Sequence, residues 1–319
     1  MSRKNSKRVS ASAPGKIIIM GEHFVVHGSY AVAAAINKRA RVTVSAEKGN
    51  ESLIVSGGKT VKIHGKRKID SSATAVAKSI FEKYGEPNEK IRIEIESEIP
   101  LGSGLGSSAA VSVATAAAIS RYLGHELDRK EILKIAGSGE KSIHGNPSGI
   151  DANSSMDGGL ILYSRKSGAK PVPLNRAIQF LVVYSGRMRS TSNLISKVSA
   201  VRSEFPAIFD HLRDASSFAS IQIVNALLNG DLPYLGAMMN YGQASLSWIG
   251  VSTKELNNLI EYVLGSEACY GAKITGAGGG GSIIALTEPD RAKSLAHQVS
   301  KKYPFSFIVS VPQEGLRWE

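Results

Sequence analysis

Pro100-Leu-Gly-Ser-Gly-Leu-Gly-Ser-Ser-Ala-Ala110 decides how this chain is read. It lies between an apparent strand from Lys90 to Glu98 and a long apolar run from Ala109 to Leu123. Gly102, Gly104 and Gly106 fall at every second position and let the backbone approach a ligand without interference from a Cβ. Ser107 and Ser108 stand where a helix begins, with its unpaired N–H groups and positive dipole end turned to the loop. Such a place attracts phosphate. No lysine follows the glycines as in a Walker A loop, and the third glycine is misplaced for the dinucleotide fingerprint. Taken alone, the stretch reads equally as a plain Gly-rich turn from strand to helix.

The 319 residues are enough to bury a full core and most naturally form two domains. No segment has the apolar length needed to span a bilayer, so no membrane partner is expected. The basic N-terminus has no apolar stretch behind it, and no secretory signal is read there. Cys269 is the only cysteine, which excludes an internal disulfide and fits a reducing, cytoplasmic location. Net charge is +12, but the tail (Arg3, Lys4, Lys7, Arg8) and the loop with Lys59, Lys62, Lys66, Arg67 and Lys68 carry nine of these charges. The rest is only mildly basic, which argues against a nucleic-acid face. Residues 1–8 read as a flexible solvated tail.

Val9 to Ile19 reads as a strand interrupted by Pro14-Gly15, and Ala31–Ile36, Ala40–Ala46 and Ser52–Ser56 as further short strands. Asp70-Ser71-Ser72 is expected to cap a helix with Val76, Ala77, Ile80, Phe81 and Tyr84 on its apolar face. Ile91, Ile93 and Ile95 alternate in the next strand, and the helix after the Gly-Ser loop is so rich in Ala and Val that most of its sides must be buried. Asp128 with Glu131, and Ser252 with Glu255, read as capping boxes. Gly137 and Gly139 weaken the end of the helix that Asp128 opens, tolerable if that end packs closely on something. Strands are expected at Leu160–Tyr163, at Phe180–Tyr184, on both sides of the turn Gly276–Gly281, and over Phe305–Val311. Helix dominates after about residue 170, so the boundary is placed there, giving domains over 9–170 and 171–319.

Transfer of a phosphoryl group needs a metal site, a base for the acceptor and a cation near the transferred group, besides a phosphate loop. Glu140 and Asp151 could hold one magnesium ion and one proton without competing, and Ser108 plus Glu140 would suffice for magnesium, which takes few protein ligands. On spacing alone they read first as a surface acid (Glu140) and an Asx-turn acid (Asp151). Lys16, in a strand otherwise apolar, reads as an edge charge or as that cation. Glu22 and His23 could contact a small substrate or simply close a turn. His27 and His144 read as structural. Gly276–Gly281 is either a second loop for close backbone approach or a tight hairpin.

The joint order of these pieces is more informative. Pro14-Gly-Lys-x-x-x-x-Gly-Glu-His23, then the loop at 100–109, then Lys273-Ile-Thr-Gly-Ala-Gly-x-Gly-Gly281 resembles the three-motif pattern of the GHMP small-molecule kinases. Within that superfamily the chain resembles the mevalonate kinases through Gly21-Glu-His-Phe-Val-Val-His-Gly28, Gly145-Asn-Pro-Ser-Gly-Ile-Asp151, and Leu235–Gln243 followed by Leu246–Ser252. The resemblance covers about residues 10 to 315. A galactokinase would show Glu-His-Thr-Asp-Tyr where this chain has Glu-His-Phe-Val-Val, and a homoserine kinase would lack Gly-Glu-His.

The resemblance implies an α+β fold of two domains, the first of the ribosomal protein S5 domain 2 type, with the active site in the cleft between them. It implies ATP-dependent phosphorylation of the primary hydroxyl of mevalonate, with Mg2+, in a homodimer. Asp151 matches the family's catalytic base, and Lys16 the lysine that orients it. Ser108 and Glu140 match the magnesium ligands. Pro100, Gly102, Ser103, Gly104, Leu105, Gly106, Ser107 and Ser108 match the ATP loop. Glu22, His23, Thr191, Gly276 and Ala277 match positions around the acceptor. Phe24 and Ala152 depart from the family, which often has a small residue and Asn there, and both could reshape the acceptor pocket. The alternatives are a GHMP kinase for another small acceptor, such as phosphomevalonate or a sugar, and a non-catalytic nucleotide-binding regulator. The joint presence of Lys16, Ser108, Glu140 and Asp151 speaks against the regulator.

Overall fold

The computed structural model describes residues 7–65, 71–144, 147–187 and 191–319. Asp70, the basic residues Lys66, Arg67 and Lys68, and residues 1–6 of the tail lie outside the described residues. So do the side chains of Ser71, His144 and Thr191. No helix among the described residues is long and apolar enough to cross a membrane.

The first half builds a sheet from β1 (Arg8–Met20), β2 (Ala31–Ala46), β3 (Leu53–Ser56), β4 (Lys59–Lys62), β5 (Ile91–Ser97), β6 (Leu160–Ser164) and β7 (Gly168–Val172). Its helices are α1 (Ser71–Tyr84), α2 (Ser107–Tyr122), α3 (Arg129–His144) and α4 (Ile150–Asp157). β1 and β2 run antiparallel along their whole length, with a register shift between Pro14 and Lys16. The Pro-Gly pair therefore bends one strand and does not end it. The expectation of two strands over 31–46 is also corrected. β2 is continuous, but its first half pairs with β6 on the far side and its second half with β5. The polar run Asn37-Lys38-Arg39 marks that change of neighbour.

α2 lies between β1, β2 and the helices α1 and α3, so its Ala- and Val-rich surface is buried nearly all round. Asp128 and Glu131 form the expected reciprocal cap of α3: Glu131 N donates to Asp128 Oδ1 at 2.8 Å and Asp128 N to Glu131 Oε2 at 3.4 Å.

The second half contains β8 (Gln179–Tyr184), α5 (Thr191–Glu204), α6 (Pro206–Asn229), α7 (Leu232–Trp248), α8 (Lys254–Leu264), β9 (Cys269–Thr275), β10 (Ser282–Thr287), α9 (Ala292–Ser300) and β11 (Ser306–Ser310). The four strands form an antiparallel sheet in the order β11-β8-β10-β9. The cap of α8 is Thr253, which accepts from Leu256 N at 3.3 Å, so the box read at Ser252 and Glu255 is corrected to a simple cap one residue later. The final strand β12 (Arg317–Trp318) returns to the first sheet and pairs with β1, although a boundary at 170/171 assigns it to the second half. Glu319 secures that return by accepting from Ser12 Oγ at 2.6 Å and Arg41 Nη2 at 3.0 Å.

Candidate active site

Lys16 sits where β1 resumes after its irregularity, and there its backbone N donates to Leu105 O of the glycine loop at 2.8 Å. The side chain is not an edge charge. The residue is 1% exposed and carries Nζ to 3.2 Å from Asp151 Oδ1 and 3.4 Å from Gly104 O. Its stem lies on Gly106, where a Cβ would come 2.9 Å from Lys16 Cγ and where φ is +77°. Two independent constraints, left-handed backbone and contact with the lysine, thus ask for glycine at 106. One ammonium links the loop that would hold phosphate to the carboxylate that would act as base.

Asp151 occupies the first turn of α4, and the turn before it is fixed by Tyr163 Oη donating to Ser148 O at 2.6 Å. Glu140 comes from the end of α3. Gly139 allows this approach: a Cβ there would lie 2.3 Å from Ser112 Oγ of α2. The weak end of the helix is therefore used for close packing against α2, at the residue just before Glu140. Glu140 is buried, and its carboxylate accepts from the N–H of Ala152. Burial, reinforced by the neighbouring Asp151 charge, pushes its carboxyl up to about 8, against the pull of Lys16 and the Ala152 N–H.

The loop exposes Leu101 and turns Ser103 and Leu105 inward. Ser103 is buried and its hydroxyl donates to Pro100 O at 2.6 Å, and Leu105 lies in the core. Gly106 caps α2 with no side-chain hydrogen bond, so the first N–H groups of this helix remain available to an anion. Ser108 Oγ is buried without a hydrogen-bond partner, one turn before Ser112. An orphaned buried hydroxyl and a buried carboxyl are oxygen donors of the kind that fit magnesium, which needs few protein oxygens. Among the described residues no group of three or more His, Cys, Asp or Glu offers a denser metal site.

A cavity of about 400 Å³ opens beside Lys16, Glu140 and Asp151 and is also lined by Glu22, His23, Gly276 and Ala277. His23 Nε2 donates to Ala277 O at 2.8 Å, which joins the two halves at this wall. Glu22 borders the cavity, yet its carboxylate is engaged by the buried ammonium of Lys273. Thr191 opens α5, with its side chain outside the described residues.

Phe24 does not enter the cavity. It is 2% exposed in the core of the second half, its ring centroid 5.4 Å from that of Phe209. Ala152 is buried likewise.

Sequence reasoning missed several lining residues. Arg165, Pro147 and Ser148 come from the segments around α4 and β6, and Ile195, Val198 and Ser199 from α5. His27, read as structural, borders the cavity too, edge-on to Phe209 at 5.1 Å. Burial, and after it the adjacent Arg202, lower the His27 imidazole from its ordinary value. No local motif announces these residues, although the basic pair Arg165-Lys166 just past an apolar strand was a visible signal.

The family of GHMP kinase N-terminal domains matches residues 71–159, and that of GHMP kinase C-terminal domains matches residues 223–304. Mevalonate kinase of Aeropyrum pernix is 34% identical over 322 residues, covering 97% of this chain and 98% of that protein. Mevalonate kinase of Thermococcus gammatolerans is 36% identical over 336 residues, covering 98% of each. Among solved structures, L. major mevalonate kinase in complex with R-mevalonate superposes with a TM-score of 0.84 at 27% identity, covering 99% of both chains. The fold is thus the two-domain GHMP kinase fold, and the chain belongs to the mevalonate kinases within the GHMP kinases.

Proposed function

We propose that this protein transfers the γ-phosphoryl group of ATP to the primary hydroxyl of mevalonate, giving 5-phosphomevalonate for isoprenoid synthesis. The observation that carries the reading is the buried Lys16 ammonium, within reach of both Asp151 and the Gly104 carbonyl. The ATP phosphates lie against the backbone of residues 102–107 and the start of α2. The acceptor occupies the cavity walled by His23, Gly276 and Ala277, where Arg165 supplies a cation for its carboxylate.

Asp151 accepts the proton of the attacking hydroxyl while the oxygen bonds to phosphorus and the bond to the ADP oxygen breaks. Lys16 orients Asp151, favours the ionised form of the attacking hydroxyl and offsets charge on the transferred group. Ser108 and Glu140 would hold magnesium, which when bound neutralises charge on the phosphate oxygens. ADP release with mevalonate, phosphomevalonate, galactose and homoserine tested in parallel checks the reading. Turnover confined to mevalonate is expected, and turnover of another acceptor alone would replace it.

A further inference from the structure

Along β9 the side chains alternate, so Lys273 and Thr275 share a face, and that face meets the first half of the molecule. The Lys273 ammonium pairs with Glu22, with side-chain exposures of 0% and 3%. The Thr275 hydroxyl accepts from Ile18 N at 2.8 Å. Just past the end of β9, in the turn that follows, the backbone carbonyl of Ala277 accepts from His23 Nε2 at 2.8 Å. These three contacts, two residues apart on one side, grip residues 18 to 23 on the other.

The gripping strand is itself held along its open edge by α7, where Gln243 Oε1 accepts from Ile274 N at 3.0 Å and Gln243 Nε2 donates to Ser252 Oγ at 3.2 Å. Lys273 also donates to Ile274 O at 2.7 Å, so its ammonium has little freedom. Room for it depends on Gly242, where a Cβ would lie 3.2 Å from Lys273 Cε. Lys16 is two residues before Ile18 on β1, so the same grip steadies the segment that carries Lys16 to Asp151.

A buried ion pair seldom adds stability over an apolar pair of similar volume, and its best attested use is to specify one arrangement. We propose that Lys273 is a positioning residue of the acceptor site: by neutralising Glu22 inside the interface, it fixes the turn bearing His23 against the turn bearing Gly276 and Ala277. The acceptor then meets a wall already in place. This rests on the acceptor pocket assigned above, and it gives Glu22 a different role from contact with substrate.

Removing one partner alone leaves a buried charge and destabilises the fold, so the double variant Glu22→Gln/Lys273→Met carries the test. Its melting temperature should stay close to that of the wild type. Its kcat/KM for mevalonate should fall by on the order of 10- to 100-fold through a raised acceptor KM, with the ATP KM within about twofold. Amide hydrogen exchange on the free protein should show lost protection at residues 21–24 and 276–281, and this readout needs no substrate. If wild-type protein fails to phosphorylate mevalonate, the functional reading falls while the exchange result still judges the latch. A double variant with wild-type protection of both turns, or with wild-type acceptor KM where the wild type is active, would overturn the positioning role.

Discussion

The Lys16 ammonium lies 3.2 Å from Asp151 Oδ1, in a side chain only 2% exposed. A lysine taken out of water this completely is held there by its partners, and Glu140 adds a second nearby carboxyl. Lys16→Met should lower kcat by about 10²–10³, the usual loss when one preorganised charge stabilising the transition state is removed. Steady-state kinetics with saturating ATP checks this, and a kcat within a few-fold of wild type would remove Lys16 from the chemistry.

Gly106 is the residue on which Lys16 lies, and its φ of +77° is a second demand for glycine. Gly106→Ala should raise the ATP KM and lower kcat together, because the new methyl displaces both the loop and the lysine stem. A left-handed alanine costs about 1–2 kcal/mol, so the variant still folds. Kinetics indistinguishable from wild type would show that the loop tolerates a Cβ there.

Glu140 gives a pH dependence with a defined sign. Its carboxyl is raised on folding from 4.5 to about 8. A group raised in this way contributes stability that is fully present below about 4.5 and is lost as pH rises through about 8. In metal-free protein, Glu140→Gln should therefore melt higher than wild type by a margin that grows across this window. Thermal unfolding of both proteins at several pH values measures the margin. A constant margin would contradict the assigned burial. Magnesium should narrow the gap by binding the ionised carboxylate of the wild type, since metal ligands must be deprotonated.

Phe24 packs on Phe209 and away from the cavity. Phe24→Ala should cost about 3–5 kcal/mol of stability through the core void it leaves. The order of preference among acceptors should not change. Chemical denaturation and the four-acceptor ADP assay on this one variant separate the two effects, and a broadened acceptor range at full stability would return Phe24 to the pocket.

Much of the site was legible because its parts are local. The glycine loop and the helix start behind it follow from backbone requirements written in one short stretch, whereas Lys16, which alone reads as an edge charge or a cation, gains a role only from the joint order of the motifs, and the structure brings Lys16, Glu140 and Asp151 together around one cavity. Residues whose role depends on tertiary approach were not legible. Lys273 lies in an apolar strand and looks like an anomaly until Glu22 arrives from the other half. Phe24 could not be assigned a side from alternation, because a short turn and not a strand carries it. Nothing in Arg317–Trp318 signals that the chain end returns to β1, since strands that short have no periodicity to read.

The central claim is that Asp151 takes the proton of the mevalonate hydroxyl. Asp151→Asn keeps the shape of the side chain and removes its ability to accept that proton. Single-turnover formation of 5-phosphomevalonate from pre-bound ATP and mevalonate measures the step most directly. The rate for Asp151→Asn should be lower by about 10²–10⁴, with ATP affinity nearly unchanged. Phosphoryl transfer at close to the wild-type rate would contradict the account.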